Sequence, residues 1–436
     1  MLEALREWRK NHGQECLLIN GARQVGKSYV VDAFGKSDYE SFISIDFVKN
    51  PELKSIFDES LSPEDIYSRM TLLIPNIRFV PNSTLLFFDE IQECPKARSA
   101  FKYLVQDGRF DVIGSGSLLG VRFSELSDAP SLPVGYERQI NMRPLDFEEF
   151  LWACGYGKDS LDILREFFQN MQAVPQVIHQ KMMRYLRQYL AVGGMPAVVQ
   201  SFVSSSFDFS AAHKQQVMIH NLYLDDIAKY ASSSERLKSR SCYLSLPRQL
   251  AKENTKFRYA EVEKRGNARK FEGSVDWLKG ADMVLACVSV SAPQFPLVSY
   301  EQPNKFRLYA NDTGLLMAMY DFKMKAAIVE NTLTGPAKGG LYENLIASML
   351  AHKNIPLRYW MSQNSKHEIE FLVDGDASVV PIEVKAGRGA SASLNAILER
   401  EDVLLGYKLI DGNIGKVGKK ITLPLYMTMF LFEDKF

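Results

Sequence analysis

The sequence predicts an α/β protein whose N-terminal part is built on a parallel sheet. Three apolar runs, at 16–20, 84–88 and 110–113, have the composition of strands that are buried on both faces. A helical pattern follows the first run, and another at 94–108 separates the other two. Because strand and helix alternate over about 20–120, we expect a parallel, doubly wound sheet in this region.

The composition excludes several classes of protein. The 436 residues are 46% hydrophobic, and 52 Lys and Arg balance 52 Asp and Glu, so the chain is neither disordered nor basic throughout. Five scattered cysteines without close spacing predict a reduced, intracellular protein. The sequence shows neither an apolar stretch long enough for a transmembrane helix nor a signal peptide, so we expect a cytoplasmic protein that does not enter a membrane.

The first apolar run leads into the segment GARQVGKS, which is followed by a helical pattern. Strand, G-x-x-x-x-G-K-S and helix in this order indicate a phosphate-binding loop. The two glycines let backbone N–H groups converge on phosphate oxygens, and the helix N-terminus favours the same anion. Lys27 is expected to reach the β- and γ-phosphates of ATP, and the Ser28 hydroxyl to ligate Mg²⁺. The predicted nucleotide-binding residues are Gly21, Ala22, Arg23, Gln24, Val25, Gly26, Lys27, Ser28 and Tyr29.

Polar side chains end the next two predicted strands. We expect Asp89 to hold the magnesium ion, directly or through water, and Glu90 to act as the general base on the attacking water. Ligands of open α/β sheets bind beyond the carboxyl ends of the strands. Ser115 or Ser117 is therefore a candidate to hydrogen-bond the γ-phosphate or the attacking water. The alternative for these serines is an ordinary glycine–serine turn.

These motifs, together with later ones, resemble an AAA-type P-loop ATPase family of bacteria and archaea. That family carries a C-terminal restriction-endonuclease-like, PD-(D/E)xK, domain of unknown function. The matching segments are GARQVGKS, LLFFDEIQ and IGSGS, then RPLDFEEFL at 143–151, GGMPAVV at 193–199, YLDDIAKY at 223–230, LYANDTGLL at 308–316, LYENLIASML at 341–350 and PIEVKAG at 381–387. The resemblance spans nearly the whole chain and implies ATP hydrolysis, a helical lid, a winged helix and an endonuclease-like domain.

One position departs from the pattern of this family. The family usually places Gly-Arg shortly before the segment that reads RPLDFEEFL here, and the arginine could act as a finger or sensor. This chain has Gly135-Tyr136 instead. Arg138 or Arg143 is a candidate to substitute for it. The departure matters because an arginine finger contributes several orders of magnitude to the rate of phosphoryl transfer.

The resemblance and the residue patterns predict three domains. An ATPase core with a helical lid spans 1–232, a winged helix of three short helices and a hairpin spans 233–325, and an endonuclease-like domain spans 330–436. Residues 143–230 are helical in pattern, with a break at Gly-Gly-Met-Pro, and His213 and His220 are interpreted as packed or solvated rather than as metal ligands.

A basic cluster lies in the predicted winged helix. It consists of Lys264, Arg265, Arg269 and Lys270. One interpretation is that these side chains contact the phosphates of DNA. The other is that the winged helix only packs against protein and that its basic residues are solvated, since acidic residues dilute the local charge.

Four polar residues of the predicted C-terminal domain resemble the core of the endonuclease superfamily. They are Glu343 on a helix, Glu370 on a strand, and Glu383 with Lys385 in an E-x-K pattern that places both side chains on one strand face. The carboxylates would bind Mg²⁺ and Lys385 would position or deprotonate water. The alternative is a degenerate nuclease fold that serves binding or assembly.

The leading hypothesis is a Mg²⁺-dependent ATPase whose nucleotide state controls the C-terminal domains, with DNA as the suggested partner. One alternative is an ATP-regulated, metal-dependent DNA endonuclease that uses Glu370, Glu383 and Lys385. Another is a nucleotide-gated binding or assembly module with little turnover. AAA-type proteins often form rings, so a homo-oligomer is considered, but the oligomeric state stays open.

Overall fold

The computed structural model describes residues 1–11, 14–116, 133, 135–232, 234–364, 366–387 and 391–433. The chain divides into two units. The first unit contains Met1–Arg143 together with Gly280–Asp282, and the second contains Pro144–Lys279 together with Met283–Phe436. The predicted boundaries at 1–232, 233–325 and 330–436 stay predictions.

A five-stranded sheet in which all neighbouring strands are parallel forms the centre of the first unit, in the order β2-β3-β4-β1-β5. Its strands are β1 (Cys16–Asn20), β2 (Ser41–Asp46), β3 (Thr84–Asp89), β4 (Asp111–Gly116) and β5 (Glu137–Asn141). The helices described in this unit are α1 (Leu2–Arg9), α2 (Lys27–Asp38), α3 (Pro63–Leu73), α4 (Pro95–Ser99) and α5 (Phe101–Asp107). The parallel sheet that the sequence predicts is confirmed.

Burial on both faces explains why these strands read as continuous apolar runs. All six residues of β3 and all six of β4 are buried. Phe88 packs edge-on against Phe57, with ring centroids 5.4 Å apart, in the core beside the sheet. Strand β1 lies between β4 and β5, so the strand order reverses next to it. Such a reversal opens a crevice at the carboxyl ends of the strands.

The second unit contributes the remaining described helices. They are α6 (Phe147–Ala153), α7 (Lys158–Gln169), α8 (Gln176–Val192), α9 (Pro196–Ser204), α10 (Phe209–Tyr230), α11 (Arg236–Leu244), α12 (Leu246–Leu250), α13 (Tyr259–Val262), α14 (Ala268–Gly280), α15 (Thr313–Ala318), α16 (Lys323–Val329), α17 (Pro336–His352) and α18 (Ala392–Leu398). A capping box formed by Asp146 and Glu149 starts α6. The predominantly helical pattern predicted for 143–230 agrees with five of these helices.

An eight-stranded mixed sheet completes the second unit, in the order β12-β13-β11-β10-β9-β8-β6-β7. Its strands are β6 (Val284–Val290), β7 (Glu301–Ala310), β8 (Arg358–Met361), β9 (Glu368–Asp374), β10 (Val379–Val384), β11 (Gly406–Ile410), β12 (Gly415–Val417) and β13 (Lys420–Pro424). The predicted hairpin is present as the antiparallel pair β6 and β7, but β6 also pairs in parallel with β8.

This pairing differs from the predicted separation of a wing and a nuclease-like sheet. Strand β6 has a partner on each edge, β7 and β8, and five of its seven residues are buried, whereas a wing would face solvent. The hairpin therefore belongs to the same sheet as the C-terminal strands. The winged helix and the endonuclease-like domain stay predictions.

Two of the quoted motifs, GGMPAVV and LYANDTGLL, contact each other in the second unit. The backbone N–H of Gly194 donates to a carboxylate oxygen of Asp312 at 2.6 Å. A Cβ atom on Gly314 would lie 2.0 Å from the carbonyl oxygen of Val192, and one on Gly194 would lie 1.9 Å from that of Leu145. No side chain fits at such distances, so these glycines serve the packing of the fold.

Candidate nucleotide-binding site

The segment 21–28 joins β1 to α2 and depends on two glycines with left-handed backbone. Gly26 has φ 96° and immediately precedes the first residue of α2. Gly21 has φ 147°, and a Cβ atom there would lie 2.1 Å from the carbonyl oxygen of Met142, next to the end of β5. Both the dihedral angles and the close approach require residues without a side chain. The N-terminus of α2 is thereby brought to the carboxyl edge of the sheet.

Lys27 is buried, and its ammonium group is bound to the loop itself. Nζ donates to the carbonyl oxygens of Gly21 at 2.9 Å and Ala22 at 2.8 Å. Burial lowers the pKa of Lys27 to about 8, and the negative charges of Glu90 and Asp89 oppose that shift. The cation is therefore held where a phosphate oxygen can replace either carbonyl as its acceptor.

Asp89, at the end of β3, is held by three hydrogen-bond donors. The Ser28 hydroxyl donates to Oδ2 at 2.6 Å, the Ser115 hydroxyl donates to Oδ1, and the backbone N–H of Glu90 donates to Oδ1 at 3.0 Å. The parallel pairing explains this contact, because Ser115 is the next-to-last residue of β4, the neighbour of β3. Buried charged carboxylates require such partners, so this geometry fixes where the Asp89 oxygens lie.

The arrangement of Ser28 and Asp89 fits a magnesium ion bound together with phosphate. Ligand oxygens about 2.1 Å from Mg²⁺ at adjacent octahedral positions lie about 3.0 Å apart. The Ser28 Oγ and Asp89 Oδ2 atoms are already 2.6 Å apart. Among the described residues, no three His, Cys, Asp or Glu side chains converge as a metal site. The rest of the shell would therefore be phosphate oxygens and water, as is usual for Mg²⁺.

Glu90 has a left-handed backbone conformation, with φ 51° and ψ 46°. This conformation costs a non-glycine residue about 1–3 kcal/mol and occurs preferentially at functional sites. The Gln92 side-chain amide donates to the Glu90 carboxylate. Glu90 also lines the cleft described next. At the end of β3, Asp89 therefore contacts Ser28, whereas the next residue, Glu90, borders the cleft.

The predicted loop borders a cleft of about 410 Å³ in the first unit. The lining residues are Arg23, Gln24, Gly26, Lys27, Ser28, Tyr29, Asp46, Val48, Lys49 and Glu90. Tyr29 is 79% exposed, so its ring is available to a ligand, whereas Ala22 and Val25 are buried. The structure thus brings Glu90 and most of the predicted loop residues to one cleft, while their roles stay predictions. Ser117 lies outside the described residues.

Sequence reasoning missed Asp46 and Lys49 as lining residues. Asp46 ends β2, directly beside Asp89 in the register of the sheet. Its carboxylate accepts hydrogen bonds from the backbone N–H groups of Val48 at 2.9 Å and Lys49 at 3.0 Å, and it pairs with the Lys49 ammonium at 2.8 Å. The signal was present, because the run FISI ends in an acid, just as the run that leads to Asp89 does.

The two arginines considered as substitutes for the family's arginine have partners within the first unit. Arg138 Nε lies 2.7 Å from Glu15 Oε1, and Arg143 NH1 lies 3.3 Å from Asp282 Oδ1. Either arginine would have to leave a carboxylate before it could face a γ-phosphate. The assignment of an arginine finger therefore stays a prediction.

The second unit contains the predicted E-x-K cluster. Lys385 Nζ donates to Glu370 Oε1 at 3.0 Å and lies 3.5 Å from Glu383 Oε1. The backbone N–H of Val384 donates to the other Glu370 oxygen at 3.2 Å. Burial raises the pKa of Glu383. Burial lowers the pKa of Lys385, but the two carboxylates raise it above its ordinary value. One ammonium group therefore serves two carboxylates.

Glu343, the predicted helix carboxylate, is held by a different set of donors. Its Oε2 atom accepts from the Thr255 hydroxyl and the Tyr309 hydroxyl, each at 3.1 Å, and from Arg307 at 3.5 Å. The structure therefore brings Glu370, Glu383 and Lys385 together, whereas Glu343 accepts from three buried donors, two of which lie on β7. The nuclease roles of these residues stay predictions.

The predicted basic cluster lies on the surface. Lys264, Arg265, Arg269 and Lys270 are all exposed, and Lys270 pairs with Glu263 at 2.7 Å.

The two histidines pack against aromatic rings. The His220 ring stacks on Tyr243 with centroids 5.7 Å apart, and the His213 ring lies 5.2 Å from that of Phe322. The histidines thus have aromatic neighbours, and no metal site includes them within the described residues.

Three protein-family models match separate parts of the chain. Residues 13–151 match a family described as AAA domain, residues 183–326 match a domain of unknown function (DUF8612), and residues 338–414 match another (DUF4143). The first match contains the loop, Asp89, Glu90 and the parallel sheet. This part of the chain therefore has the parallel α/β sheet that is typical of P-loop ATPases of the AAA type.

The solved structures that match the chain include a Walker-type ATPase, an ORC2 protein and a DnaA protein. The Walker-type ATPase PABY2304 of Pyrococcus abyssi is 15% identical over 73% of this chain and 94% of its own, with a TM-score of 0.42. The ORC2 protein of Aeropyrum pernix is 13% identical over 76% and 92%, with a TM-score of 0.33. Aquifex aeolicus DnaA bound to AMPPCP is 12% identical over 64% and 86%, with a TM-score of 0.27. Likenesses at this level assign no function.

Two further comparisons give negative results. No curated protein matches the chain. Within the described residues, no helix combines the length and apolar character that a membrane span requires.

Proposed function

We propose that this protein binds ATP with Mg²⁺ in the cleft of its first unit and hydrolyses it to ADP and phosphate. The observation that carries the proposal is the convergence of five side chains where β1, β3 and β4 end. These side chains are Lys27, Ser28, Asp89, Glu90 and Ser115. A cation, two oxygen ligands for a metal and a separate acid are the groups that phosphoryl transfer to water needs.

Lys27 and the loop amides would bind the triphosphate. The Lys27 ammonium now donates to two loop carbonyls, and it would exchange one or both for oxygens of the β- and γ-phosphates. The N-terminus of α2 adds favourable electrostatic interaction with the same anion. Magnesium held by Ser28 and Asp89 would neutralise developing charge on the phosphates. These groups position the γ-phosphate with its charge compensated.

Glu90 would accept a proton from the attacking water. Its carboxylate borders the cleft and receives a hydrogen bond from Gln92, which orients it. General base catalysis of this kind contributes about 10²–10⁴-fold to a rate. Asp89, whose oxygens already accept from three donors, is less suited to take that proton. The two adjacent acids would thus have different tasks.

A phosphate-release assay comparing the wild-type protein with Glu90→Gln tests the proposal. The variant should bind ATP with unchanged affinity in calorimetry but hydrolyse it about 10²–10⁴-fold more slowly. Glu93→Gln is the matched control, since Glu93 pairs with Lys54 rather than lining the cleft. No heat on titration of ATP and magnesium into wild type would reject the proposal. Equal background rates in both proteins would support a binding module with little turnover instead.

The nucleotide state of the first unit is also proposed to control the second unit, with DNA as the partner. The exposed side chains of Lys264, Arg265 and Arg269 support DNA as a ligand, because unpaired surface cations attract phosphates. Amide hydrogen exchange of the Glu90→Gln variant, measured once with ATP and once with ADP, tests whether the nucleotide state controls the second unit. Different protection in the second unit is expected, and identical protection would exclude it.

A metal-dependent nuclease in the second unit is the second candidate function. One observation favours it, namely that Glu370 and Glu383 face a common position next to Lys385. Two carboxylates and a lysine are suited to hydrolysis of a phosphodiester with a divalent metal. Nicking of plasmid DNA with Mg²⁺, lost in Lys385→Ala, is the expected result. Intact plasmid after incubation with wild type would remove this candidate.

A further inference from the structure

The second unit contains another cleft, of about 400 Å³, whose lining is polar and basic. Lys256 and Lys305 supply its charged side chains, and Asn254, Gln302 and Gln363 supply amide groups. No Asp or Glu occurs among the lining residues that the structure describes. A cleft with ammonium and amide donors but without carboxylates is suited to an anion.

One backbone hydrogen bond links the segments that contain the two lysines. Each lysine directly precedes a phenylalanine, and the backbone N–H of Phe257 donates to the carbonyl oxygen of Phe306 at 2.8 Å. The two phenylalanine rings stack with centroids 5.6 Å apart. Because both lysines line the same cleft, an anion bound there would be attracted by both ammonium groups. Within the part of the chain that the structure describes, neither lysine has an ion-pair partner.

Arginines pair with the acids on neighbouring elements. Arg358 binds Glu301 at 2.6 Å and Asp374 at 3.1 Å. The buried Arg307 binds Glu368 and also lies 3.5 Å from Glu343. These carboxylates have arginine partners, and none of them lines the cleft that contains Lys256 and Lys305.

Aromatic contacts connect the cleft to the predicted basic cluster. The Tyr259 ring lies 6.4 Å from Phe306, beside the cleft, and 6.3 Å from Phe271 on α14. Arg269 precedes Phe271 by two residues and is exposed, as are Lys264 and Arg265. The exposed cations of the basic cluster thus belong to segments that these ring contacts join to the cleft. A polyanion with regularly spaced phosphates can contact both groups of cations, whereas a small anion can contact only one.

We propose that this cleft binds the phosphodiester backbone of DNA. Lys256 and Lys305 contact phosphate oxygens as point charges, and the amide groups of Gln302 and Gln363 donate hydrogen bonds to the same backbone. Contacts to phosphate fix position without reading sequence, so the binding is independent of sequence. The proposal deepens the DNA partner proposed above and rests on it, but it does not depend on ATP hydrolysis.

Fluorescence anisotropy with a labelled short DNA duplex, in the absence of nucleotide, tests the cleft. The full-length wild type is compared with Lys256→Gln/Lys305→Gln at about 50 and about 200 mM salt. Loss of two phosphate contacts should weaken binding on the order of tenfold and reduce the salt slope by about 2. Lys323→Gln/Lys416→Gln is the matched control, because both lysines are exposed in the second unit and do not line the cleft.

Three outcomes would overturn the proposal, and they can be told apart. The first is that Lys256→Gln/Lys305→Gln binds the duplex like wild type and that only Lys264→Gln/Arg265→Gln/Arg269→Gln loses binding. This result would reject the cleft as the binding site but retain DNA as the partner. No duplex binding by wild type would reject both. Displacement of the duplex by inorganic phosphate or AMP at concentrations that leave the ionic strength unchanged would assign the cleft to a small anion. Retained phosphate release by the cleft variant shows that the chain is folded.

Discussion

Each unit contains a lysine beside two glutamates or aspartates, but the lysines have different acceptors. In the first unit Lys27 donates to main-chain carbonyls, while Asp89 receives hydroxyl and amide donors of its own. In the second unit Lys385 donates directly to a carboxylate and lies close to a second one. The pKa of Lys27 is accordingly lowered by burial, whereas the carboxylates beside Lys385 raise its pKa against the effect of burial.

The different acceptors of the two lysines determine whether each lysine can bind an anionic ligand. Neutral acceptors hold the Lys27 ammonium without cancelling its charge, so an anionic phosphate gains by replacing them. The Lys385 ammonium is already paired with two carboxylates, so an anionic ligand must first displace one of them. The same residue types therefore predict an open site in one unit and a closed cluster in the other.

The largest expected effect is loss of ATP binding in Lys27→Ala. Removal of charged hydrogen bonds to phosphate should weaken ATP binding about hundredfold, since such bonds contribute about 1.5–3 kcal/mol each. Lys385→Ala should bind ATP like wild type. Calorimetric titration of both variants measures the contrast. Equal affinities in Lys27→Ala and wild type would contradict the assignment of Lys27.

Lys385→Met should destabilise the protein by about 3 kcal/mol, because removing one partner leaves buried carboxylates uncompensated. The effect depends on pH. The raised pKa of Glu383 means that its protonated form is favoured in the fold, so this contribution to stability is present at low pH and lost as pH rises through that pKa. The penalty should therefore be smaller at acidic than at alkaline pH.

Urea unfolding of Lys385→Met at several pH values measures this penalty. Lys416→Met, at an exposed position, is the control and should match wild type. Adding Glu383→Gln should recover part of the lost stability, since the amide carries no charge. A penalty that does not vary with pH would show that the charges near Lys385 are not coupled as described.

ATP affinity should fall as pH rises above about 8. The Lys27 ammonium has a pKa of about 8 in the free protein, and phosphate binding favours the charged form. Above that pH a proton must be taken up on binding, which costs up to about tenfold in affinity per pH unit. The unfolded chain holds the same proton more tightly, so the folded free protein gains stability in this range.

Calorimetry in buffers of different ionisation enthalpy measures this proton uptake. Uptake is expected near pH 8–9 in wild type and not in Lys27→Ala, which serves as the control. A constant affinity across pH 7–10, without uptake, would show that Lys27 stays charged in the free protein or is not in contact with the phosphates.

The smallest expected effect is that of Ser115→Ala. Asp89 would keep two of its three donors, so the loss should be about 1–2 kcal/mol of unfolding free energy. The control is Ser44→Ala, because Ser44 is exposed on β2. Chemical unfolding compares the two. A loss in Ser44→Ala as large as that in Ser115→Ala would mean that the hydroxyl at 115 has no special bond to Asp89.

The strands, the phosphate-binding loop segment and the two acids of the first unit could be located from the sequence because each is recognised from a short run of adjacent residues. The apolar runs, the loop and the acids at 89 and 90 are read from adjacent residues. Asp46 was missed because it lies beside Asp89 only through the pairing of β2 with β3, and that pairing cannot be read from either segment alone. In the second unit the same limitation separated β6 from the C-terminal strands, although its pairing with β8 places them in one sheet.

The hydrogen bonds from Lys27 to the loop carbonyls have a consequence for the energetics of nucleotide binding. A free lysine side chain loses up to about 2 kcal/mol of rotamer entropy when it is immobilised. Here that entropy is already lost in the ligand-free fold, because Nζ is anchored at 2.9 and 2.8 Å. An arriving triphosphate meets a preorganised cation, and more of the interaction energy remains as affinity.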